Sequence, residues 1–577
     1  MANPTSERAT LALVGAAQGL ALWLLVEQWP EAHAARAAAA ALLTFLAVST
    51  LVFHFAWTGR ERGRLIALAV GVGAVYAAVA GWVGWQVPVD PALHRGDEQR
   101  VFTWSLALLV TLYVLGPFLQ IFQRTGRLHF PYQDLFLHGW NNFFIALVGQ
   151  LFVSALWLVL LLWGALFDLV GIDFFEDLFS EEPFVYGVTG GAAGFGIALG
   201  RESERVIATL RGITLAVFRG LLPLVSFVAL IFLATLPFTG LDVLWSTNHA
   251  SQLLLTWVAL TVLFLNAVYQ DGSGRDPLPA LLRRLVEAAF LAMTVYVAIA
   301  VYGLALRIGQ YGLTPRRVWV GMTAVVLGGY AFGYLIAVVR RGEPWLRTVR
   351  AVNLVVALIV VAIGLLAHTP LLDPFAWSAR SQFDRIASGR VPAADFDYGT
   401  LYFKLGKAGH EKFERLGTLD AHPEIATIRE EMARVRGFQH YYAWEQARES
   451  VAGIARFELL APGLAWPDGL REAVQQAAID TVGSPCSEEY ECGGRPVEID
   501  GRPPEEWIVL LGREAWGQAS VFGVDEAGKW RRLGRLESEQ PLLGTKLAEA
   551  LRAGDFEPVP PIHDDLSIDG RRYRLAP

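Results

Sequence analysis

The chain has 577 residues, of which 54% are hydrophobic and only 18% charged, against about 25% charged in an ordinary soluble domain. The formal net charge is −7, unevenly spread: residues 1–370 carry 23 Arg, no Lys and 21 Asp plus Glu, and residues 371–577 carry 25 Lys plus Arg and 34 Asp plus Glu. A nearly neutral, apolar two-thirds ahead of an acidic third argues against a nucleic-acid partner and against a single soluble domain. It points to a polytopic α-helical membrane protein over 1–372, followed by a soluble α+β domain over 373–577.

A membrane-crossing helix needs about 20 apolar residues. Eleven runs qualify, at 10–29, 36–57, 65–86, 101–122, 143–169, 184–200, 220–238, 251–269, 286–306, 318–339 and 351–369. The first lacks a strongly basic leader and a small-residue cleavage site, so it reads as a retained helix. Between the fourth and fifth, "LHGWNNFF" (Leu137 to Phe144) suits an aromatic belt at the membrane interface. The sixth run is short and glycine-rich. It sets Gly187 with Gly191, Gly190 with Gly194, and Gly196 with Gly200 in small-xxx-small registers, which suit close helix packing. A discontinuous helix that exposes backbone to a substrate is the sharper alternative.

Arginine placement orients the spans. With the N-terminus in the cytoplasm, inner segments hold 17 arginines and outer connections hold 6: Arg36, Arg95, Arg100, Arg307, Arg316 and Arg317. The eleven-span count then puts the C-terminal domain on the extracytoplasmic side of the membrane. Polar residues in or near the spans are few. Asn266 and Asn353 suit helix–helix contacts, whereas Gln270, Glu287 and Asp168 lie near helix ends and reach water.

The outer stretch "LRIGQYGLTPRRVWVG" (306–321) carries the most informative charges. Gly312 permits a turn, Thr314 can cap the next helix and Pro315 fits its first position. Arg316 and Arg317 then fall in a first helical turn, where the macrodipole disfavours cations. Something anionic must offset them, and two candidates stand open. One is the acidic outer loop "GIDFFEDLFSEEP", whose Asp173, Glu176, Asp177, Glu181 and Glu182 could pair with Arg307, Arg316 and Arg317. The other is an anionic ligand, such as a lipid phosphate or a glycolipid headgroup, held by Arg307, Gln310, Tyr311, Arg316 and Arg317 together with Arg380 and Arg385 of "SARSQFDR".

Beyond residue 373, helical periodicity runs through 378–388, 405–417, 422–436 and 440–456, with Ser378 and Pro423 at expected helix starts. From about 494 the pattern alternates around Asp-Gly turns and predicts a small antiparallel sheet to 577. The only cysteines, Cys486 and Cys492, suit a disulfide in an oxidising compartment, with two free thiols as the alternative. No nucleotide loop, zinc motif or serine elbow is present, and His410, His422, His440 and His563 are scattered, so no metal and no cofactor is expected.

Five stretches, "LLPLVSFVALIFLATLPFTGLDVLW", "LFLNAVYQDG", "YGLALRIGQYGLTPRRVW", "SARSQFDRIASGRV" and "FDYGTLYFKLGKAGHEKFERL", span about 221–416. Together they resemble the bacterial domain-of-unknown-function 4153 family of polytopic membrane proteins. The resemblance implies the membrane architecture and transfers no catalytic residue. The function expected is an envelope protein that binds or moves an anionic amphiphile at the outer leaflet. An envelope sensor or assembly scaffold, partnered by another envelope protein, is the second reading, and a membrane-embedded transferase the third.

Overall fold

The helices are set by their apolar runs and ended by identifiable breakers. In the computed structural model they are α1 (Pro4–Glu27), α2 (His33–Ala56), α3 (Arg62–Gln86), α4 (Arg95–Thr125), α5 (Tyr132–Asp168), the short α6 (Phe174–Ser180), α7 (Glu182–Glu202), α8 (Glu204–Thr239), α9 (Ala250–Tyr269), α10 (Ala280–Tyr311), α11 (Pro315–Val339) and α12 (Val349–Leu366). All but α6 are long and apolar enough to cross a membrane, which makes eleven among the described residues. Those residues are 4–87, 95–241, 250–270, 272, 278–340, 346–438, 441, 443–445, 457–460, 465–482, 486, 492–499, 503–511, 518–525, 528–536, 544–555, 566–568 and 571–573.

Each expected span has its helix, but α5 and α8 begin well before their apolar runs, at Tyr132 and Glu204. Hydropathy marks only the hydrocarbon-length part of a helix, and a 37-residue helix at 1.5 Å per residue is about 55 Å long, well beyond a hydrocarbon core of about 30 Å. The extra turns carry polar side chains, His138, Asn141, Arg205 and Arg211 among them.

Burial separates a centre from a periphery. The apolar windows of α9 and α10 are 50% buried, against 17% for α1. Leu222, Val258, Leu265, Phe290, Tyr296, Ala331 and Tyr334 form the heart of the largest cluster. Leu158, Leu161, Leu162 and Leu166 of α5 stay largely exposed, as lipid-facing side chains must. Asn353 sits within this packing. Its amide donates to Tyr132 Oη (2.7 Å) and its carbonyl accepts from Tyr334 Oη (2.7 Å), while Asn266 donates to the same Tyr334 oxygen (2.9 Å). Four helices are tied by groups that satisfy one another, the helix-contact role expected of the two asparagines.

The glycine-rich α7 is one continuous helix. A Cβ at Gly190 would fall on the carbonyl oxygen of Gly15, and one at Gly194 on that of Leu11. Gly196 and Gly200 instead meet Gly149 and Ile145 of α5. The alternate registers thus serve two neighbours, and close packing is the outcome.

The first compact unit runs from Met1 to Gly437 and the second from Phe438 to Pro577. Within the first, three helices follow the membrane set: α13 (Pro374–Ala387), α14 (Gly406–Leu416) and α15 (Ile425–Arg436). They pack through Phe383, Ile386, Tyr398, Phe413, Leu416, Ile428 and Val435, all buried. α13 starts earlier than Ser378, because the Asp373 carboxylate accepts from the Phe375 and Ala376 amides and Pro374 takes the first position. Ser378 is buried one turn in and donates to Pro374 O (2.6 Å). α15 begins after Pro423, with Glu424 as its flanking residue. Most of the helix expected at 440–456 lies outside the described residues.

In the second unit, a five-stranded sheet has the order β1 (Phe457–Leu459), β2 (Cys492–Val497), β3 (Glu506–Leu511), β4 (Gln518–Val524) and β5 (Trp530–Arg535). β1 pairs with β2 in parallel and the other pairs are antiparallel. A two-stranded ladder, β6 (Leu566–Ile568) with β7 (Arg571–Tyr573), follows. The parallel β1 and α16 (Leu470–Val482) precede the stretch from 494 where alternation suggested only antiparallel strands, and α17 (Gly544–Ala553) lies within it. β1 is three residues long, too short to register as alternation.

Cys486 and Cys492 form a disulfide, and both are fully buried in a cluster with Trp466, Trp507 and Phe522. Cys486→Ser with Cys492→Ser is expected to cost about 2 kcal/mol from loop closure alone. Maleimide labelling of protein purified without reductant should require both denaturation and reduction; prompt labelling of the denatured, unreduced chain would show the bond absent in solution.

Candidate functional site

Contacts at the helix ends sort into two faces. On one, Arg64 donates to Gln123 O, Arg201 to His54 O and Arg8 to Glu202. On the other, His33 meets Trp85 O, Arg100 pairs with Asp373, and the 309–313 turn meets α13. The first face holds the segments with many arginines and the second those with few, as the alternation of eleven spans requires.

Arg307, Arg317 and Arg385 gather around the C-terminal end of α10. That helix stops at Gly312, whose φ of +76° favours glycine. Thr314 accepts from the Arg317 amide (3.3 Å) and Pro315 opens α11. The last carbonyls of α10 have no helical partners, and α13 supplies them. Arg385 donates to Gly309 O (3.2 Å) and Gln310 O (2.6 Å), and Gln382 donates to Tyr311 O (3.0 Å) and Leu313 O (2.9 Å). Ser381 Oγ accepts from the Leu313 amide (3.0 Å). Arg317 donates to Gly312 O (2.7 Å).

Of the residues singled out in the sequence, Arg307, Gln310, Tyr311, Arg317 and Arg385 come together here. Arg307 and Arg317 lie 5.9 and 5.5 Å from the Tyr311 ring centre, and Arg307 and Arg385 are both close enough to repel Arg317. Arg316 points elsewhere, to Gln252 Oε1 of α9 (3.0 Å). Arg380 is exposed and 3.8 Å from Asp384. The acidic loop folds as α6, with Phe175 and Phe179 packed on Trp163. Among the described residues no ion pair joins Asp173, Glu176, Asp177, Glu181 or Glu182 to Arg307, Arg316 or Arg317. What meets Arg317 and Arg385 directly is a set of carbonyl oxygens, which neither candidate drawn from the sequence included.

These carbonyls offset the charge only in part. A helix C-terminus offers about half an elementary negative charge, against full charges on Arg317, Arg385 and the neighbouring Arg316. None of these three has a carboxylate partner among the described residues. Each guanidinium keeps unused donors from its five N–H groups. Exposed Tyr311 and Trp377 border the cluster's two elements, α10 and α13.

At the start of α13 lies a buried ion pair. Arg100 Nη1 and Asp373 Oδ2 are 2.9 Å apart, with both side chains at most 3% exposed. The guanidinium also lies 4.3 Å from the Phe375 ring centre. His368, between Trp104 and Trp319, is buried in the same neighbourhood. Asp373 therefore caps α13 and neutralises a cation on α4, which fixes the helix that carries Ser381, Gln382 and Arg385.

Residues 14–404 match a family described as Domain of unknown function (DUF4153). The match takes in ten of the spans whole and most of α1, well beyond the five stretches that carry the resemblance. No curated protein and no solved structure shows a significant match. With the eleven-helix set and the α13 clamp almost entirely inside the matched region, the chain belongs to the DUF4153 family.

Proposed function

We propose that the protein is a bacterial inner-membrane protein that binds or moves an anionic lipid or similar amphiphile at the outer leaflet. Its N-terminus lies in the cytoplasm and its C-terminal unit outside. The observation that carries this reading is the excess of arginine charge over carbonyl compensation at the α10–α11 turn, where unused guanidinium donors stand at helix-end level beside the exposed Tyr311 ring. The arginine count supports the orientation, and the disulfide supports an oxidising compartment for the second unit.

Arg316→Ala with Arg317→Ala tests it. Arg316 is exposed and Arg317 holds one carbonyl, so thermal stability of the full chain in detergent should change by no more than about 1 kcal/mol. Retention of dioleoyl phosphatidylglycerol, read by native mass spectrometry, should fall about tenfold at this site. Unchanged retention would remove the outer ligand and leave a helix clamp, which favours the scaffold reading instead.

A further inference from the structure

A cavity lies at the opposite, arginine-rich face. It has a volume of about 540 Å³, within the range of about 300–1,000 Å³ common for small-molecule sites. Five helix ends enclose it: the last residues of α2, α4 and α7 and the first turns of α5 and α8. Its wall holds four arginines, Arg124, Arg201, Arg205 and Arg211, with His138, against one carboxylate, Glu204. Two of the arginines belong to the wall itself. Arg201 donates to His54 O (2.7 Å) and Trp57 O, and Arg211 to Asn141 Oδ1. Arg124 and Arg205 are exposed, and their guanidinium groups make no hydrogen bond or ion pair among the described residues. The cavity thus has two anchored cations and two that are available.

An apolar slot of about 280 Å³ adjoins it between α2, α4 and α5. The two spaces share Phe55, Ala56, Gln120 and Asn142. Gln120 and Asn142 form a reciprocal amide pair (2.9 and 3.0 Å) where polar wall gives way to apolar wall. Leu109, Tyr113 and Phe143 line the slot and are 63%, 48% and 48% exposed on the lipid-facing surface. The slot is therefore open sideways to the bilayer, while the cavity is charged.

We infer that this cavity and slot form a binding site for an anionic phospholipid, its phosphate held by Arg124 and Arg205 and an acyl chain in the slot. Arginine pairs suit phosphate oxygens, and only an amphiphile fills both compartments. The site is separate from the outer arginine cluster, and neither reading depends on the other.

The test uses the full-length protein and native mass spectrometry, with three probes: dioleoyl phosphatidylglycerol, dioleoyl phosphatidylcholine and glycerol 3-phosphate. Two phosphatidylglycerol molecules per chain are expected, one lost on Arg124→Ala with Arg205→Ala and the other on the outer pair Arg316→Ala with Arg317→Ala. The inner double variant should weaken phosphatidylglycerol about tenfold at its site and leave phosphatidylcholine unchanged. Ala146→Trp, at an exposed position in the slot, should weaken it comparably with the headgroup arginines intact. If that variant melts early, Leu109→Trp gives the same reading. Retention that survives the arginine variants, or equal retention of phosphatidylcholine at this site, overturns the inference. So does tight glycerol 3-phosphate binding that the tryptophan variants do not affect, since that would identify a soluble phosphate compound as the ligand.

Discussion

Arg100→Ala is expected to lower the stability of the folded chain by about 3–5 kcal/mol, because it leaves a carboxylate buried without its cation. Asp373→Ala should cost at least as much. It strands the Arg100 guanidinium, of which Nε and Nη2 already lack partners among the described residues, and it removes the α13 cap. The pair Arg100→Met with Asp373→Asn should recover most of the loss: methionine fills the volume without charge, and asparagine keeps an oxygen to cap α13. Thermal unfolding of Arg100→Met, Asp373→Asn and their double in one detergent gives the coupling directly. Additive effects would show that the two groups do not interact, whatever their separation.

Gly190→Val should severely damage the α1–α7 contact. Its new carbons would meet the Gly15 backbone, which has no rotamer to change, so the helices must part or the fold must fail. Overpacking costs about 1–3 kcal/mol where side chains can give way, and here the obstacle is a carbonyl. Gly187→Ala is the control, because its Cβ meets only the Leu20 side chain, at 3.3 Å. Equal melting temperatures for Gly190→Val and Gly187→Ala would show that α1 and α7 do not cross this closely.

The span count was legible because crossing a bilayer demands about 20 apolar residues, a demand that each run shows without reference to any other. The glycine registers of α7 were legible as a packing signal, but not their partners, since Gly15 and Gly149 lie on helices that no local pattern connects. The starts of α5 and α8 were hidden because polar turns such as "YQDLFLHGWNN" contribute nothing to hydropathy. The same turns line part of the arginine cavity, a role that the interfacial reading of "LHGWNNFF" did not include. At the outer site, the sequence posed the right question about Arg316 and Arg317 and offered two answers. The third, the unpaired carbonyls of a helix ending at Gly312, follows from helix geometry, but which arginine would reach them depends on a contact between residues 309 and 385. The Arg100–Asp373 pair spans 273 positions, which no local pattern connects.

The first 370 residues do without lysine, and the side chains that do carry one begin at Lys404. Lys407 lies 5.0 Å from the Trp85 ring at the end of α3, and Lys412 lies 5.1 Å from that of Phe383, so these amines stand on the same face as the α13 clamp. Apart from the amino terminus, every primary amine of the chain follows the last span. On the proposed orientation, an impermeant amine-reactive dye applied to intact cells with a permeabilised outer membrane should label the protein almost as fully as it labels lysed cells. Labelling that appears only after lysis would turn the whole topology over. A membrane domain written in arginine alone makes acylation chemistry a one-sided reporter.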